Sequence, residues 1–253
     1  MKLKLTHIAL ELTDKCNLAC KYCYNIWKIP GAERKTFNSY PKAIKALKKL
    51  FAQADIQNVT LTGGETFMAE RLLEIALFCR MQGKSVTVIS NGSLGKSSDY
   101  RQMIDMGVHL FEMPIHSAVE SIHDSITQVK DSWAKSIASL MEVKRLGGYP
   151  VAVIVLTKYN VDVLADTLDY IHSLGLQRVM LNRYNIGGNG TAEPASVSAT
   201  HSQLCKAYKI ANNKSEELGL VISSNVCTPS CLLNPADYPR LMFGHCSDDV
   251  LRK

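Results

Sequence analysis

The strongest constraint on the fold of this 253-residue chain is the repeated alternation of short apolar runs with longer amphipathic segments. The apolar runs are rich in Val, Ile and Leu, which is typical of the strands of a parallel sheet whose two faces are both covered. We predict six strands, at residues 8–12, 58–62, 85–90, 108–115, 151–156 and 178–184.

Helical patterns separate these runs, and several of them end at a glycine, the residue that a left-handed helix C-cap favours. We predict helices at residues 40–53, 68–82, 96–106, 132–146, 161–174 and 201–218. Successive strand–helix units with right-handed crossovers wind into a parallel sheet. The chain is therefore predicted to be an α/β protein with a partial (βα)6 TIM-like barrel. In such barrels the reactive groups lie at the C-terminal ends of the strands.

The composition is that of an ordinary globular protein, with 46% hydrophobic and 21% charged residues. No apolar run approaches a signal peptide or the roughly 20 residues of a membrane span, so we predict a cytoplasmic protein without a membrane partner. In a reducing compartment the eight cysteines are better explained as metal ligands or core thiols than as disulfides. A net charge of +6 permits an acidic partner, but no nucleic-acid-binding module is legible and we expect no nucleic-acid partner.

Three cysteines follow the first predicted strand with the spacing C-x3-C-x2-C: Cys16, Cys20 and Cys23, with Tyr22 directly before the third. Structural metal sites fill every coordination position, whereas three protein ligands leave one position for a substrate or cofactor. The spacing favours an iron–sulfur cluster with one open iron. A zinc site completed by a distant fourth ligand stays open as an alternative.

Two polar turns follow the next strands, Gly63-Gly64-Glu65 and Ser90-Asn91-Gly92. Paired glycines let the backbone approach a ligand closely, and a glutamate beside them could accept hydrogen bonds from an ammonium group. Either turn alone would be unremarkable in a loop.

Together, over about residues 5 to 190, these motifs resemble those of the radical S-adenosylmethionine (radical SAM) enzymes. The cysteine loop fits the family's C-x3-C-x-aromatic-C motif, Gly63-Gly64-Glu65 its GGE motif, and Ser90-Asn91-Gly92 its TNG turn. The resemblance implies a [4Fe-4S] cluster bound by the three cysteines, with S-adenosylmethionine on the fourth iron. It further implies reductive cleavage to a 5'-deoxyadenosyl radical that abstracts a substrate hydrogen atom.

The same resemblance implies the cofactor contacts. The GGE residues would contact the methionine amino group, and the backbone around Tyr22 the adenine. The resemblance implies further contacts at the ends of later strands, at Ser90, Asn91, His116, Ser117, Asn182 and Arg183. For His116 the alternative is a solvated turn residue, and for Arg183 a solvated loop residue.

A second cysteine group, Cys227, Cys231 and Cys246, lies in a proline-containing stretch that reads as loop. It resembles the start of the SPASM or twitch extension, whose cysteines hold auxiliary iron–sulfur clusters. We predict a barrel domain at residues 1–223 and an irregular, incomplete extension at 224–253. Because only seven residues follow Cys246, we expect a chain truncated at its C-terminus, with a split gene or a natural short form as the alternatives.

That subgroup mostly modifies peptides or protein side chains, so the resemblance implies a peptide or protein substrate and an electron donor such as flavodoxin or ferredoxin. Two alternatives remain. One is a radical SAM enzyme of small-molecule cofactor or RNA maturation, and the other is a non-catalytic, zinc-stabilised binding module.

Overall fold

The computed structural model describes residues 3–25, 39–188, 194–224 and 233–244. The chain divides into two compact units, each built from separate stretches. The first comprises Met1–Ala19, Ile29–Met113 and Ala134–Pro150, and the second comprises Cys20–Lys28, Pro114–Trp133 and Val151–Lys253. No helix in the described part of the chain has the length and apolarity needed to cross a bilayer.

The strands are β1 (Leu3–Lys4), β2 (His7–Glu11), β3 (Ala54–Asp55), β4 (Asn58–Thr62), β5 (Ser85–Ile89), β6 (Leu110–Pro114), β7 (Tyr149–Leu156), β8 (Arg178–Arg183), β9 (Val221–Ser224) and β10 (Met242–Phe243). The α-helices are α1 (Tyr40–Gln53), α2 (Leu72–Met81), α3 (Ser97–Asp105), α4 (Glu120–Thr127), α5 (Ser132–Arg145), α6 (Leu164–Ser173) and α7 (His201–Leu218).

The first unit contains a parallel sheet in the order β2, β4, β5, β6, and a separate parallel pair of β1 with β3. Helices α1, α2, α3 and most of α5 belong to it. Helix α1 shows why such segments form helices. Its Ala43, Leu47 and Phe51 recur every fourth residue and are buried, while Pro41 occupies the first turn, where its missing N–H leaves no helical hydrogen bond unmade.

The two faces of this sheet differ in chemistry. On the helix side, Val59, Leu61 and Val88 are fully buried, and the Phe111 ring meets the ring of Tyr100 in α3 edge to face, with centroids 5.6 Å apart. The alternate residues face the other way, and most of them are polar: His7, Glu11, Asn58, Thr60, Thr62, Ser85, Thr87 and Glu112. The prediction that these strands are apolar on both faces is thus wrong for one face of this sheet.

The second unit contains the parallel strands β7, β8, β9 and β10 in that order, with helices α4, α6 and α7. The Tyr208 ring of α7 stacks on Phe243 and lies 5.9 Å from Tyr238 between centroids, and its hydroxyl lies 2.9 Å from Ser224 Oγ. Residues 233–244 therefore pack on α7 and β9 as part of this unit. Cys227, Cys231 and Cys246 lie outside the described residues, and the predicted domain boundary at residue 223 stays a prediction.

All six predicted strands are present, and the prediction of an α/β fold is confirmed. Among the described residues, five of the α-helices and strands lack a counterpart in the sequence prediction: α4, β1, β3, β9 and β10. Two helices begin later than predicted, because Thr66–Met68 and Val161–Val163 form short 3-10 turns before them. The first of these turns is capped by the Glu65 side chain, which accepts a hydrogen bond from Phe67 N–H at 2.9 Å.

Candidate functional site

The cysteine loop follows β2 and contributes to both units, with Cys16 in the first and Cys20 and Cys23 in the second. Cys16 Sγ accepts a hydrogen bond from Leu18 N–H at 3.4 Å. In the second unit, Cys23 N–H donates to the Cys20 carbonyl at 3.1 Å. None of the three takes part in a disulfide bond; Cys20 is buried and the other two are half-buried. Backbone N–H groups thus shape the loop, in one case by donating to a cysteine sulfur.

The two glycines of the GGE turn pack against the beginning of the cysteine loop. A Cβ added to Gly64 would lie 2.1 Å from the Lys15 carbonyl oxygen, and one added to Gly63, whose φ is +143°, would lie 2.6 Å from the Thr13 oxygen. Gly64 N–H donates to Thr13 and Glu65 N–H to Lys15, both at 2.7 Å. The close approach that requires glycine here is therefore an approach to the cysteine loop.

Glu65 lies fully buried at the end of this turn. Its Oε1 accepts hydrogen bonds from Phe67 N–H at 2.9 Å and from Ser90 Oγ at 2.8 Å, and its Oε2 accepts one from Asn91 N–H at 2.7 Å. Burial raises the pKa of Glu65, and the three hydrogen bonds oppose that rise. Because a carboxylate oxygen can accept two hydrogen bonds, Oε2 retains capacity for a further donor such as an ammonium group.

The Ser90-Asn91-Gly92 turn links Glu65 to the cysteine loop. Ser90 Oγ, besides donating to Glu65, accepts from Gly92 N–H at 3.0 Å. The Asn91 side-chain amide donates to Asn17 Oδ1 at 2.8 Å and lies 4.0 Å from Cys16 Sγ. Within the first unit, the structure thus joins all three sequence motifs through one set of hydrogen bonds, which we call the motif bracket (Cys16, Asn17, Glu65, Ser90 and Asn91).

In the second unit, Tyr22 of the cysteine loop lies against His116, which follows β6. The hydroxyl of Tyr22 is 2.9 Å from His116 Nε2, and the rings meet edge to face. His116 Nδ1 accepts from Val155 N–H at 3.4 Å, so the proton is assigned to Nε2, which donates to Tyr22. Both ring nitrogens are therefore occupied by the protein, and the predicted contact of His116 with the cofactor would need one of these bonds to break.

His123 of α4 completes this group. Its ring stacks on that of His116 with centroids 5.1 Å apart, and its Nδ1 accepts from His116 N–H at 3.1 Å. Burial lowers the pKa of His123 to about 4 and that of His116 well below its ordinary value. Both rings are therefore neutral at pH 7. We call Tyr22, His116 and His123 the ring stack.

Ser117 is also directed into the protein. It is fully buried, its hydroxyl accepts from Val119 N–H at 3.0 Å, and its carbonyl accepts from the Trp133 indole N–H at 3.0 Å. Asn160 in turn donates to the His116 carbonyl at 2.9 Å. These bonds fix the turn after β6, and the predicted cofactor contact of Ser117 stays a prediction.

The end of β8 is more accessible. Asn182 and Arg183 are half-buried, and Arg183 Nη1 donates to the Tyr184 carbonyl at 3.2 Å. Beyond them, the backbone at Gly188 approaches the cysteine loop so closely that an added Cβ would lie 2.5 Å from the Cys23 oxygen. The segment that follows β8 therefore lies beside the cysteine loop, and the ligand contacts predicted for Asn182 and Arg183 stay predictions.

Sequence reasoning missed two groups. His123 could have been noticed from its position in the amphipathic helix that was not assigned. Glu112 interrupts the apolar run Leu110–Pro114, which is a detectable signal, and it is buried. The pKa of Glu112 is raised to about 7 by burial.

The donor chemistry of the loop fits an iron–sulfur cluster, because thiolates are the ligands that such clusters take. No group of three or more His, Cys, Asp and Glu side chains within the described ranges forms a ready-made metal site. His7, which precedes the loop, lies in β2 with its Nε2 3.1 Å from Thr60 Oγ1. The ligand roles of Cys16, Cys20 and Cys23 are therefore carried forward as a proposal.

Comparison with known proteins identifies a family. The Radical SAM superfamily matches residues 10–187, more than half of the chain. A probable GTP 3',8-cyclase of Sulfurisphaera tokodaii is 25% identical over 215 residues, which cover 83% of this chain and 65% of that protein. The PqqA peptide cyclase of Ruegeria pomeroyi is 23% identical over 235 residues, covering 92% of this chain and 61% of that protein. The chain thus spans less than two thirds of the length of either relative.

The fold is shared with Streptococcus suis SuiB. Its crystal structure bound to the precursor peptide SuiA matches with a TM-score of 0.74 at 13% identity, over 93% of this chain and 52% of the SuiB chain. A crystal structure of the same protein bound to S-adenosylmethionine gives a TM-score of 0.73, also at 13% identity, over 92% of this chain and 53% of that one. These matches confirm the predicted fold class.

Proposed function

Because the chain belongs to the radical SAM superfamily, we propose that it is an enzyme that modifies a peptide or protein side chain by radical chemistry. In the proposal, Cys16, Cys20 and Cys23 bind a [4Fe-4S] cluster and S-adenosylmethionine binds beside it. When bound, these cofactors supply a 5'-deoxyadenosyl radical that takes a hydrogen atom from the substrate. An electron donor such as flavodoxin or ferredoxin, and a cytoplasmic location, belong to the same proposal.

The motif bracket is the observation that carries the cofactor part of this proposal. The Asn91 side chain reaches Cys16 and Asn17 while its backbone N–H is held by Glu65. The chain thus fixes a prospective cluster ligand and a carboxylate oxygen with spare capacity in one rigid arrangement. Such support of a ligand by its hydrogen-bonded neighbours is what orients metal ligands in proteins.

Each element of the chain then has a distinct task. The thiols would hold the cluster, and Glu65 Oε2 would accept a hydrogen bond from the methionine ammonium group. The buried ring stack would hold Tyr22 and with it the second half of the loop. The remaining predicted contacts are also part of the proposal: the backbone at Gly63 and Gly64, the buried hydroxyl of Ser90, and the half-buried side chains of Asn182 and Arg183.

The peptide part of the proposal is supported by the relatives. The Ruegeria protein is named a peptide cyclase, and the SuiB structure contains a precursor peptide. The second candidate, small-molecule chemistry, is favoured by the GTP 3',8-cyclase match of comparable identity. The two candidates share the cluster and differ in the substrate.

The cofactor part is tested by anaerobic reconstitution with iron and sulfide, followed by dithionite and S-adenosylmethionine. We expect about four irons per chain and formation of 5'-deoxyadenosine. Cys20→Ala should lose the cluster and the product, because one iron loses its thiolate, whereas Cys205→Ala, which changes a half-buried thiol on α7, should retain both. A Cys20→Ala protein with a full cluster and activity would refute the ligand assignment, and one zinc per chain would favour the binding module.

The substrate part is tested with the same preparation. Peptides encoded beside the gene and GTP are offered separately, and each is examined by mass spectrometry for modification that depends on S-adenosylmethionine. Modification of a peptide supports the proposal, and modification of GTP alone replaces it with the second candidate.

A further inference from the structure

One strand of the first unit carries a carboxylate on the polar face of the sheet. In β6, Phe111 packs on Tyr100 of α3, and the sulfur of Met113 lies near Gly92 on the α5 side. Both residues are fully buried on the helix side. Because successive side chains in a strand point to opposite faces, Glu112 lies on the face directed away from the helices.

The carboxyl group of Glu112 has no partner in the described part of the chain. The residue is only 9% exposed, and among the described residues its carboxyl group makes no hydrogen bond or ion pair, although its backbone carbonyl accepts from Ser90 N–H at 3.0 Å. Burial, the sole cause acting on it, raises the pKa of Glu112 to about 7. A buried carboxylate without donors is costly to the fold, and proteins retain such groups mainly where function needs them.

The position of Glu112 in the sheet is the one at which ligands bind in parallel α/β folds. In the sheet register, Glu112 lies beside Ile89 of β5, and Glu11 lies beside Thr62 of β4. Because β4 also pairs with β5, these four residues form a row at the carboxyl ends of the strands. The carboxyl ends of parallel strands are where binding and catalytic groups collect. Glu112 is therefore at the ligand end of the sheet.

The rest of this face has acceptors to spare and lacks cations. Glu11 is half-buried, and burial raises its pKa as well. At the amino end of the same face, Asn58 Oδ1 is buried without a partner in the described structure. None of the residues that β2, β4, β5 and β6 direct to this face is Lys or Arg, and the pKa of His7 is lowered by burial. The face is complementary to a donor-rich, positively charged group.

We propose that Glu112 binds a positively charged side chain of the substrate, a lysine or an arginine, at the carboxyl end of this sheet. The inference rests on the proposed function, since it assumes that a peptide is the substrate. It adds the recognition chemistry: a buried carboxylate that gains its hydrogen-bond donors only when the substrate is bound. Charge-assisted hydrogen bonds are the strong ones, so this contact selects cationic over neutral segments.

The test measures binding of two probes to the cluster-reconstituted full chain by ligand-observed NMR. The probes are argininamide and citrullinamide, which have nearly the same shape but differ in charge. We expect the wild-type chain to bind argininamide about tenfold more tightly or better. Glu112→Gln should abolish that preference, whereas Glu70→Gln, which changes an exposed glutamate of the same unit, should retain it.

Equal binding of the two probes to the wild-type chain, no binding of either, or a preference that survives in Glu112→Gln would each overturn the inference. The folding of the variant is checked by its melting temperature at pH 8. This temperature should rise in Glu112→Gln, because an uncompensated buried charge is removed. A fall would mean that the carboxylate is already compensated and would also overturn the inference.

Cleavage of S-adenosylmethionine is assayed on the same wild-type sample. Cleavage without probe preference removes this inference alone, and probe preference without cleavage removes the proposed function alone.

Discussion

The motif bracket and the ring stack hold the two halves of one cysteine loop by different physical means. In the bracket, a fully buried carboxylate collects three donors, two of them backbone N–H groups. In the ring stack, the neutral imidazole of His116 pairs with the phenol of Tyr22 and stacks on that of His123, whose Nδ1 accepts from the His116 backbone N–H. The bracket thus depends on a carboxyl group that accepts three hydrogen bonds. The ring stack depends on imidazoles that stay uncharged.

Because of this difference, the two regions should tolerate different substitutions and different changes of protonation. A buried carboxylate that loses its donors, or donors that lose their carboxylate, incur the full cost of desolvation. A neutral imidazole stack is held by packing and single hydrogen bonds, and it fails when a ring is protonated. The two regions should therefore respond differently to substitution and to pH.

Truncation of Glu65 gives the largest expected effect. Glu65→Ala leaves three buried donors without an acceptor, so we expect a loss of about 3–5 kcal/mol in the free energy of unfolding. Urea denaturation of the apo chain measures it. The matched control is Glu74→Ala, which removes an exposed carboxylate paired with Arg71 and should change stability little. Equal stability of the two variants would show that Glu65 does not organise the bracket.

The pH dependence of stability should distinguish His123 of the ring stack from Glu112 on the polar face of the sheet. The pKa of His123 is lowered from 6.5 to about 4, so its contribution to stability is present above pH 6.5 and is lost as the pH falls toward 4, by about 3 kcal/mol in all. Glu112 acts in the opposite sense. Its pKa is raised from 4.5 to about 7, so stability is lost as the pH rises through that window.

Unfolding measured from pH 4 to pH 8 tests both signs. His123→Gln, which keeps a side-chain acceptor for His116 N–H, should flatten the loss of stability toward low pH. Glu112→Gln should flatten the loss toward high pH. The comparison breaks down if the two variants change the pH profile in the same direction.

The smallest effect is expected from the hydroxyl of Tyr22. Tyr22→Phe removes the acceptor of His116 Nε2–H but keeps the ring contact, so we expect a loss of about 1–2 kcal/mol. Differential scanning calorimetry measures it. Tyr149→Phe, at a site 58% exposed, serves as the control. A Tyr22→Phe chain as stable as this control would mean that ring packing alone holds this part of the loop.

Local patterns predicted much of the fold, because they depend on residues near one another in sequence. Helix α1 has the bounds that its four-residue periodicity predicts, and β4 those of its apolar run. Helix α2 was predicted to begin too early, since the Glu65 cap creates a separate turn. Helix α4 has only 8 residues, which is shorter than the stretch over which helical periodicity can be recognised.

The candidate site was predicted in its composition but not in its contacts. The family's motif residues are present, and Gly63, Gly64, Ser90 and Asn91 lie beside the cysteine loop or Glu65. Their partners are other motif residues, which spacing alone does not reveal. His116 was predicted to contact a ligand, and the structure directs its nitrogens to Tyr22 and to Val155.

The chemistry that this chain can carry follows from local sequence, because thiols at C-x3-C-x2-C spacing and glycines at a strand end are local properties. The way those groups are used depends on the fold. Glu65 and Ser90 are 25 residues apart, and Tyr22 and His116 are 94 apart, so their hydrogen bonds form only when strands and loops distant in sequence fold together. Burial decided the rest: it left His123 neutral and Glu112 without a partner, and burial is a property of the folded chain alone.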